Sequence, residues 1–151
     1  MEMRLSSPTI RHGEPIPEKH SCDGEDVSPA LAWEGVPEDA KSLALVVDDP
    51  DAPLGTWDHW IVFNIPPGVK GLKEGAGKGH LPSQALHGRN SWKRNDWGGP
   101  CPPQGRHRYY FKLFALDAML ELSPGASKAE LLEAMDSHIL ARAELMGTYE
   151  R

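Results

Sequence analysis

The stretch that decides the fold class is residues 43 to 65, which read LALVVDDPDAPLGTWDHWIVFNI. Two mostly apolar runs, residues 43–48 and 59–65, flank a segment rich in Pro, Gly and Asp. Continuous apolar runs of this length are typical of strands that are covered on both faces. Because proline fixes φ and restricts the residue before it, we predict a stiff loop between the two strands.

Further apolar runs at residues 31–33 and 109–117 predict two more strands, and Pro66-Pro67-Gly68 ends the run that precedes it. Fifteen glycines and fourteen prolines make up about 19% of the 151 residues, above the average of about 12%. No internal repeat or long linker is visible. We therefore predict one β-rich domain over residues 1–151, with two packed, mainly antiparallel sheets.

One helix is predicted near the C-terminus. Ser127 and Glu130 have the spacing of a capping box. Apolar residues follow at helical spacing, and Gly147 is the predicted stop; the apolar positions are Leu131, Leu132, Met135, Ile139 and Ala143. A second, shorter helix is predicted after Pro37.

Composition excludes several classes of protein. The net charge is −6 and there is no Lys/Arg block, whereas a nucleic-acid-binding protein is expected to have a basic face. No apolar run approaches the ~20 residues of a membrane span, and the N-terminus lacks the apolar core of a signal peptide. We expect a cytoplasmic protein, in which Cys22 and Cys101 are free thiols and form no zinc site.

Two carboxylates and an imidazole surround the first Pro-rich loop. Asp49 and Asp51 flank Pro50, and His59 begins the next apolar run. An isolated Asp-Pro-Asp is typical of a tight turn, in which an Asp side chain bonds the backbone two residues on. If a hairpin brings His59 close to Asp49, the carboxylate would instead orient the ring and fix its tautomer. The residues alone leave both interpretations open.

The second polar loop is residues 99–109, which read GPCPPQGRHRY. Side chains two apart on a strand share a face, so His107 and Tyr109 are predicted to point the same way. Arg108 then points the other way, where we expect a surface salt bridge. Free backbone N–H groups in the loop are predicted to form a concave anion site, although His107 could equally be a buried structural histidine.

Tryptophans near these loops are candidates for the wall of a pocket. Trp57 shares a strand face with His59 if that strand begins early. Trp92 and Trp97 lie in residues 71–103, a stretch without clean periodicity, and loops of this length are often functional. One of the two is expected at the pocket mouth. We assign Trp57, Trp97 and Cys101 to the predicted wall.

The motifs resemble those of the phosphatidylethanolamine-binding protein family. The resemblance lies in Asp-Pro-Asp-Ala-Pro at residues 49–53, the following His59, and Gly-Pro-Cys-Pro-Pro-x-Gly-x-His-Arg-Tyr at residues 99–109. Residues 22–29 with Leu31 and Trp33, and the end of the chain, are similar to less specific family segments. The short chain and the Cys-Pro-Pro form resemble the bacterial Raf-kinase-inhibitor-like branch.

The resemblance implies a pocket that receives phosphate-bearing groups, such as a phospholipid headgroup, without a cofactor. It also implies a cis bond before Pro53, and a homodimer, since bacterial relatives tend to pair. The predicted ligand-binding residues are Asp49, Asp51, His59, Pro102, His107 and Tyr109.

We therefore expect a non-enzymatic module that binds a small phosphorylated or otherwise anionic ligand and acts on a partner protein, which the sequence does not identify as a kinase or a protease. Two alternatives remain. The first is a small hydrolase that uses His59, His107 and Asp49 for acid–base chemistry, with Cys101 as the only tempting nucleophile. The second is a metal site with two His and one carboxylate.

Overall fold

The computed structural model describes residues 2–151, in which eight strands and one α-helix are present. The elements are β1 (Arg4–Ser6), β2 (Leu31–Glu34), β3 (Ser42–Asp49), β4 (Trp57–Ile65), β5 (Gly71–Leu72), β6 (Leu86–His87), β7 (Arg106–Leu116), α1 (Lys128–Met135) and β8 (Ile139–Glu150). Short 3-10 helices cover Glu18–His20 and Ala76–Lys78.

The strands form two antiparallel sheets, as predicted. One has three strands in the order β1-β2-β5, and the other has five in the order β6-β4-β3-β7-β8. The four strands predicted from apolar runs correspond to β2, β3, β4 and β7. A mainly antiparallel, β-rich fold is therefore confirmed.

Strand β3 is the centre of the fold, because it lies between β4 and β7 and is covered on both faces. All eight of its residues are buried. Leu43, Leu45 and Val47 pack towards the three-stranded sheet. Ala44 and Val46 belong to a second apolar cluster that contains Leu131 and Met135 of α1. The molecule thus has three layers, and the continuous apolar run in the sequence reflects burial on both faces.

The helical prediction at the C-terminal end is correct at its start and wrong beyond Met135. Ser127 accepts a hydrogen bond from the backbone N–H of Glu130, and Glu130 reciprocates, so the capping box is present. The chain then turns through Ser137, whose φ is +69°, and residues 139–150 form β8 instead of more helix.

The reason for the difference is the long antiparallel pairing of β7 and β8. The residues of β8 include good helix formers such as Ala, Leu, Glu and Met, but the strand pairs with β7 from Leu116 to Arg106. Backbone hydrogen bonds along this ladder, together with alternating side-chain burial, override the local helical preference. Gly147 is not a helix stop but a strand residue that packs directly against Ile16.

Two smaller predictions are also wrong. The segment after Pro37 is a single turn, closed by a hydrogen bond from the N–H of Ala40 to the carbonyl of Pro37, and not a helix. Across residues 2–151 every peptide bond is trans, including the bond before Pro53. In the same part of the chain, no helix has the length and apolar character needed to cross a membrane.

Candidate functional site

The strand order brings the two Pro-rich loops together at one end of the five-stranded sheet. The end of β3 pairs with the start of β4, with Asp49 opposite Trp57. The start of β7 lies on the other side of β3, with Tyr110 opposite Asp48. The loop from β3 to β4 and the loop that leads into β7 therefore meet over the same strand end.

Between these loops lies a cavity of about 230 Å³, which we call the cup. Most of its wall is aromatic or proline, and its titratable side chains come from three neighbouring strands. The lining residues are Asp49, Ala52, Pro53, Trp57, His59, Trp92, Cys101, Pro102, Pro103, His107 and Tyr109.

His59 is a buried wall residue of the cup, only 3% exposed. Its Nδ1–H donates to the carbonyl oxygen of Gly98 at 2.7 Å, which orients the ring. Burial lowers the pKa of His59, while the Gly98 carbonyl and the carboxylates of Asp49 and Asp58 act in the opposite direction. The imidazole of His59 is therefore mostly neutral at pH 7.

Asp49 is bonded to His107 and not to His59, the partner that the sequence suggested. The Nδ1–H of His107 donates to Oδ2 of Asp49 at 2.7 Å. The other carboxylate oxygen accepts the backbone N–H of Asp51 at 2.8 Å. The same side chain thus makes the predicted turn and orients an imidazole of the cup.

Tyr109 lies between the two imidazoles. Its ring centroid is 5.1 Å from that of His59 and 6.5 Å from that of His107. The hydroxyl is buried and has no hydrogen-bond partner among the described residues. Burial raises the pKa of Tyr109, and the charge of Asp49 raises it further. The phenol is therefore neutral. Tyr109 lines the cup together with His107, as predicted for two side chains on the same face of a strand.

Two tryptophans form the mouth of the cup. Trp57 and Trp92 remain 38% and 36% exposed, and their rings meet edge to face at 5.5 Å. Trp92 also contacts the ring of His59 at 4.9 Å. Trp97, which the sequence analysis assigned to the wall, is instead buried in the core against Trp60 and Phe111.

Asp51 lies outside the cup, unlike the other predicted ligand residues. Its carboxylate forms a two-point ion pair with Arg108, with contacts of 2.8 and 2.9 Å. The hydrogen bonds from Arg108 lower the pKa of Asp51 to about 2. The prediction that Arg108 points away from the pocket and forms a surface salt bridge is confirmed.

The second loop contributes Cys101, Pro102 and Pro103 to the wall, and the expectation of free thiols is wrong. Cys101 is bonded to Cys22, whose Cα lies 5.4 Å away. The N–H of Cys22 also donates to the carbonyl of Pro100 at 3.1 Å. Residues 79 apart in sequence thus become neighbours through the fold, which their spacing could not reveal.

Two backbone N–H groups of the loop, those of Gly99 and Gly105, are already bonded within the protein and are not part of the predicted anion site. Proline has no N–H group, and the N–H of Gly105 donates to the carbonyl of Arg151 at 2.8 Å. The N–H of Gly99 donates to Asp26 at 2.8 Å.

Four lining residues were not among those assigned to the pocket from the sequence, namely Ala52, Pro53, Trp92 and Pro103. Ala52, Pro53 and Pro103 belong to the two loops that the sequence singled out, so their motif context was a usable signal. No periodicity distinguishes Trp92 from Trp97. Within residues 2–151, no three His, Cys, Asp or Glu side chains are grouped so that they could hold a metal ion.

Comparisons with known proteins agree with this architecture. The sequence profile of the family described as phosphatidylethanolamine-binding protein matches residues 6–150. A UPF0098 protein from Methanothermobacter thermautotrophicus is 53% identical over 137 residues, which are 90% of this chain and 91% of the relative. A UPF0098 protein from Chlamydia trachomatis is 48% identical over 154 residues, which are 99% of this chain and 99% of the relative.

Solved structures are similar over the whole chain. The crystal structure of CT736, a phosphatidylethanolamine-binding protein homologue from Chlamydia trachomatis, superposes with a TM-score of 0.92 at 46% identity, covering 99% of this chain and 98% of that one. Escherichia coli YbcL, described as a member of the mammalian family, gives 0.94 at 37% identity, covering 100% and 99%. Since profile, relatives and structures all extend over nearly the full length, the chain belongs to the phosphatidylethanolamine-binding protein family.

Proposed function

We propose that this protein is a non-enzymatic binding module whose cup takes a small phosphate-bearing or otherwise anionic ligand and whose loaded state is presented to a partner protein. The single observation that carries the proposal is the meeting of His59 and His107, from different strands, on one cavity of about 230 Å³. A cavity near this size suits a headgroup-sized molecule.

Imidazoles support the binding of an anion because a protonated imidazole donates a charge-assisted hydrogen bond. The carboxylate of Asp49 accepts the Nδ1–H of His107 and fixes the orientation of that ring. The cup is also walled by stiff prolines and indoles, which reduces the entropy lost when a ligand is held.

The hydrolase alternative is weaker, because its only candidate side-chain nucleophile is not free. The Sγ atom of Cys101 is used in the bond to Cys22, and nucleophilic catalysis by cysteine needs a free thiolate. Asp49, His107 and His59 remain as an acid–base set without a side chain to activate.

The test is isothermal titration calorimetry with inorganic phosphate and with phosphoethanolamine on the wild-type protein and on His59→Ala. At a pH low enough to protonate His59, we expect His59→Ala to weaken binding by about tenfold or more, which corresponds to the loss of one charge-assisted hydrogen bond. The matched control is His80→Ala, because His80 is exposed and lies outside the cup.

The pH dependence gives a second readout of the same experiment. Affinity should rise as pH falls below about 6.5, the ordinary histidine value, and binding should take up protons, which appears as a dependence of the heat on the buffer. Because burial lowers the pKa of His59, its part of the rise lies below that value. Equal affinities for wild type and His59→Ala would rule out the cup as the binding site.

A further inference from the structure

We infer that the Cys22–Cys101 disulfide is a reversible exchange site for small aliphatic thiols, at which the incoming sulfur bonds to Cys22 and Cys101 leaves as a thiolate beside Arg151. This site is independent of the ligand that the cup takes. Three features of the molecule support it: the exposure of the bond, the position of one guanidinium, and the charges that surround the two sulfurs.

The disulfide lies at the surface of the molecule. Cys22 and Cys101 are both exposed, so a dissolved thiolate can reach the bond in the folded protein. The two cysteines differ in their neighbours along the chain. Cys22 is followed by three exposed residues, 23–25, whereas Cys101 lies between two buried prolines, Pro100 and Pro102. Access therefore favours attack at the sulfur of Cys22.

One guanidinium lies against the sulfurs. Nη1 of Arg151 is 3.5 Å from Sγ of Cys101 and 4.0 Å from Sγ of Cys22. In the disulfide this contact is weak, because a neutral sulfur is a poor acceptor. A thiolate at the same position would accept a charge-assisted hydrogen bond. Since the leaving sulfur takes up the negative charge, Cys101, the nearer of the two, is the better leaving group.

The charges along the chain favour the same direction. Asp23 and Glu25 lie within three residues of Cys22, whereas the loop of residues 98–105 contains no Asp or Glu. A thiolate on Cys22 would therefore lie close to carboxylates of like charge, which disfavours it. The carboxylate of Asp23 also anchors Nη2 of Arg151 at 3.4 Å, so the guanidinium is held beside the sulfurs.

The exchange conserves atoms and electrons. A small thiol RSH loses its proton to solvent, and the thiolate RS⁻ attacks Sγ of Cys22. A new S–S bond forms between R and Cys22, and the bond to Cys101 breaks with its electron pair remaining on Sγ of Cys101. Attack of this thiolate on the mixed disulfide restores the original bond and expels RS⁻. A second RS⁻ instead gives RSSR and leaves both cysteines reduced.

The exchange would change the charge of the cup and keep its shape. Cys101 belongs to the wall, so the first step places a negative charge there. The loop remains attached by noncovalent contacts, because the N–H of Cys22 donates to the carbonyl of Pro100 at 3.1 Å and the N–H of Gly99 donates to Asp26 at 2.8 Å. Small thiols in the surroundings would thus act on the cup through a single bond.

The experiment treats the native protein with 2-mercaptoethanol at constant pH, stops the reaction at early times with N-ethylmaleimide, and locates both adducts by peptide mass spectrometry. We expect mercaptoethanol on Cys22 and maleimide on Cys101 in about fivefold or greater excess over the reverse arrangement, and an initial rate proportional to thiol concentration. Equal amounts of the two arrangements would overturn the inference. A rate independent of thiol concentration would also overturn it, because the bond would then open only through unfolding.

Arg151→Gln tests the role of the guanidinium. The backbone hydrogen bonds between residue 151 and Gly105 do not involve the side chain, so the loop should stay in place. We expect the initial rate to fall about threefold or more and the preference for Cys22 to decrease, because the leaving thiolate loses its partner. A variant that reacts at the wild-type rate with the wild-type preference would overturn the inference.

Arg142→Gln is the matched control. Arg142 is another exposed arginine of β8, and its guanidinium lies over the ring of Phe114, away from the disulfide. This variant should keep both the rate and the preference for Cys22. A loss as large as that in Arg151→Gln would show that only the overall charge of the protein matters and would contradict the assigned role of Arg151. Every readout is obtained without a ligand in the cup, so failure of the proposed function would leave these results unchanged.

Discussion

Three histidines, two of them buried and one half-buried, show how the pKa of a single side chain depends on neighbours from distant parts of the chain. His20 is held by the carbonyl of Val27, His59 by that of Gly98, and Nε2 of His87 accepts the indole N–H of Trp60 at 3.0 Å. Burial lowers the pKa of all three. At these positions folding favours the neutral imidazole.

The consequence is a stability that decreases in mild acid. In the unfolded chain these histidines protonate near pH 6.5, whereas in the folded protein they do so only at lower pH. The unfolded state therefore binds more protons, and the free energy of unfolding should fall as pH is lowered from 7 towards 5. Each histidine contributes a slope of up to about 1.4 kcal/mol per pH unit between its two pKa values.

Urea denaturation at pH 7, 6 and 5 measures this slope. His87→Gln keeps an acceptor for Trp60 without a titrating group, so its slope should be smaller than that of the wild type. His80→Ala, at an exposed position, should leave the slope unchanged. The explanation would be wrong if His87→Gln and the wild type lost stability in parallel. The carboxylate of Asp51 does not enter this range, because its folded pKa is about 2.

At the scale of elements, α1 is short, but its start is held by the capping box and by the ion pairs of its first residue, Lys128. The capping box of Ser127 and Glu130 satisfies two backbone N–H groups. Nζ of Lys128 then reaches Asp48 at 3.2 Å and Asp58 at 2.8 Å, beside the strand ends that support the cup. The start of the helix thus braces the sheet behind the site.

We predict that Ser127→Ala lowers the free energy of unfolding by about 1 kcal/mol, because it removes the acceptor for the N–H of Glu130. Ser127→Asp retains an acceptor and should remain close to wild type. Chemical denaturation of both variants measures the difference, and calorimetry with phosphate should give nearly wild-type affinity for each. Equal losses in the two variants would show that the cap contributes nothing.

At the scale of the whole molecule, one covalent link joins two loops around the cup. Cys22 and Cys101 close a loop with a sequence separation of 79, and Arg151 reinforces the junction by donating to the carbonyl of Pro102 at 3.4 Å. Cys101, Pro102 and Pro103 form part of the wall. We therefore expect the affinity for the proposed ligand and the global stability to depend on the same contact.

Replacing both cysteines, Cys22→Ser together with Cys101→Ser, should reduce the free energy of unfolding by about 2–4 kcal/mol, because the unfolded chain regains loop entropy. Wild-type protein in reductant should behave like the double variant, whereas reductant should leave the double variant unchanged. Urea denaturation and phosphate calorimetry give the two readouts. Identical unfolding midpoints with and without reductant in the wild type would contradict the prediction.

The sequence by itself determined the features that depend on local chemistry. Apolar runs long enough to be buried on both faces identified β3 and β4, proline and aspartate identified the two loops, and Ser127 with Glu130 identified the start of α1. The alternation of His107, Arg108 and Tyr109 correctly separated the cup from the surface salt bridge. Each of these signals acts within a few residues.

Only the tertiary structure decided the features that depend on distant partners. Pairing with β7 made β8 a strand despite its helix-forming residues, and the meeting of two loops joined Cys22 to Cys101. The tertiary structure also made His107, and not His59, the hydrogen-bond partner of Asp49. It placed Trp92 in the wall of the cup and Trp97 in the core. The physical reason is that burial and long-range hydrogen bonds outweigh local preference, and neither can be read from residues considered along the chain.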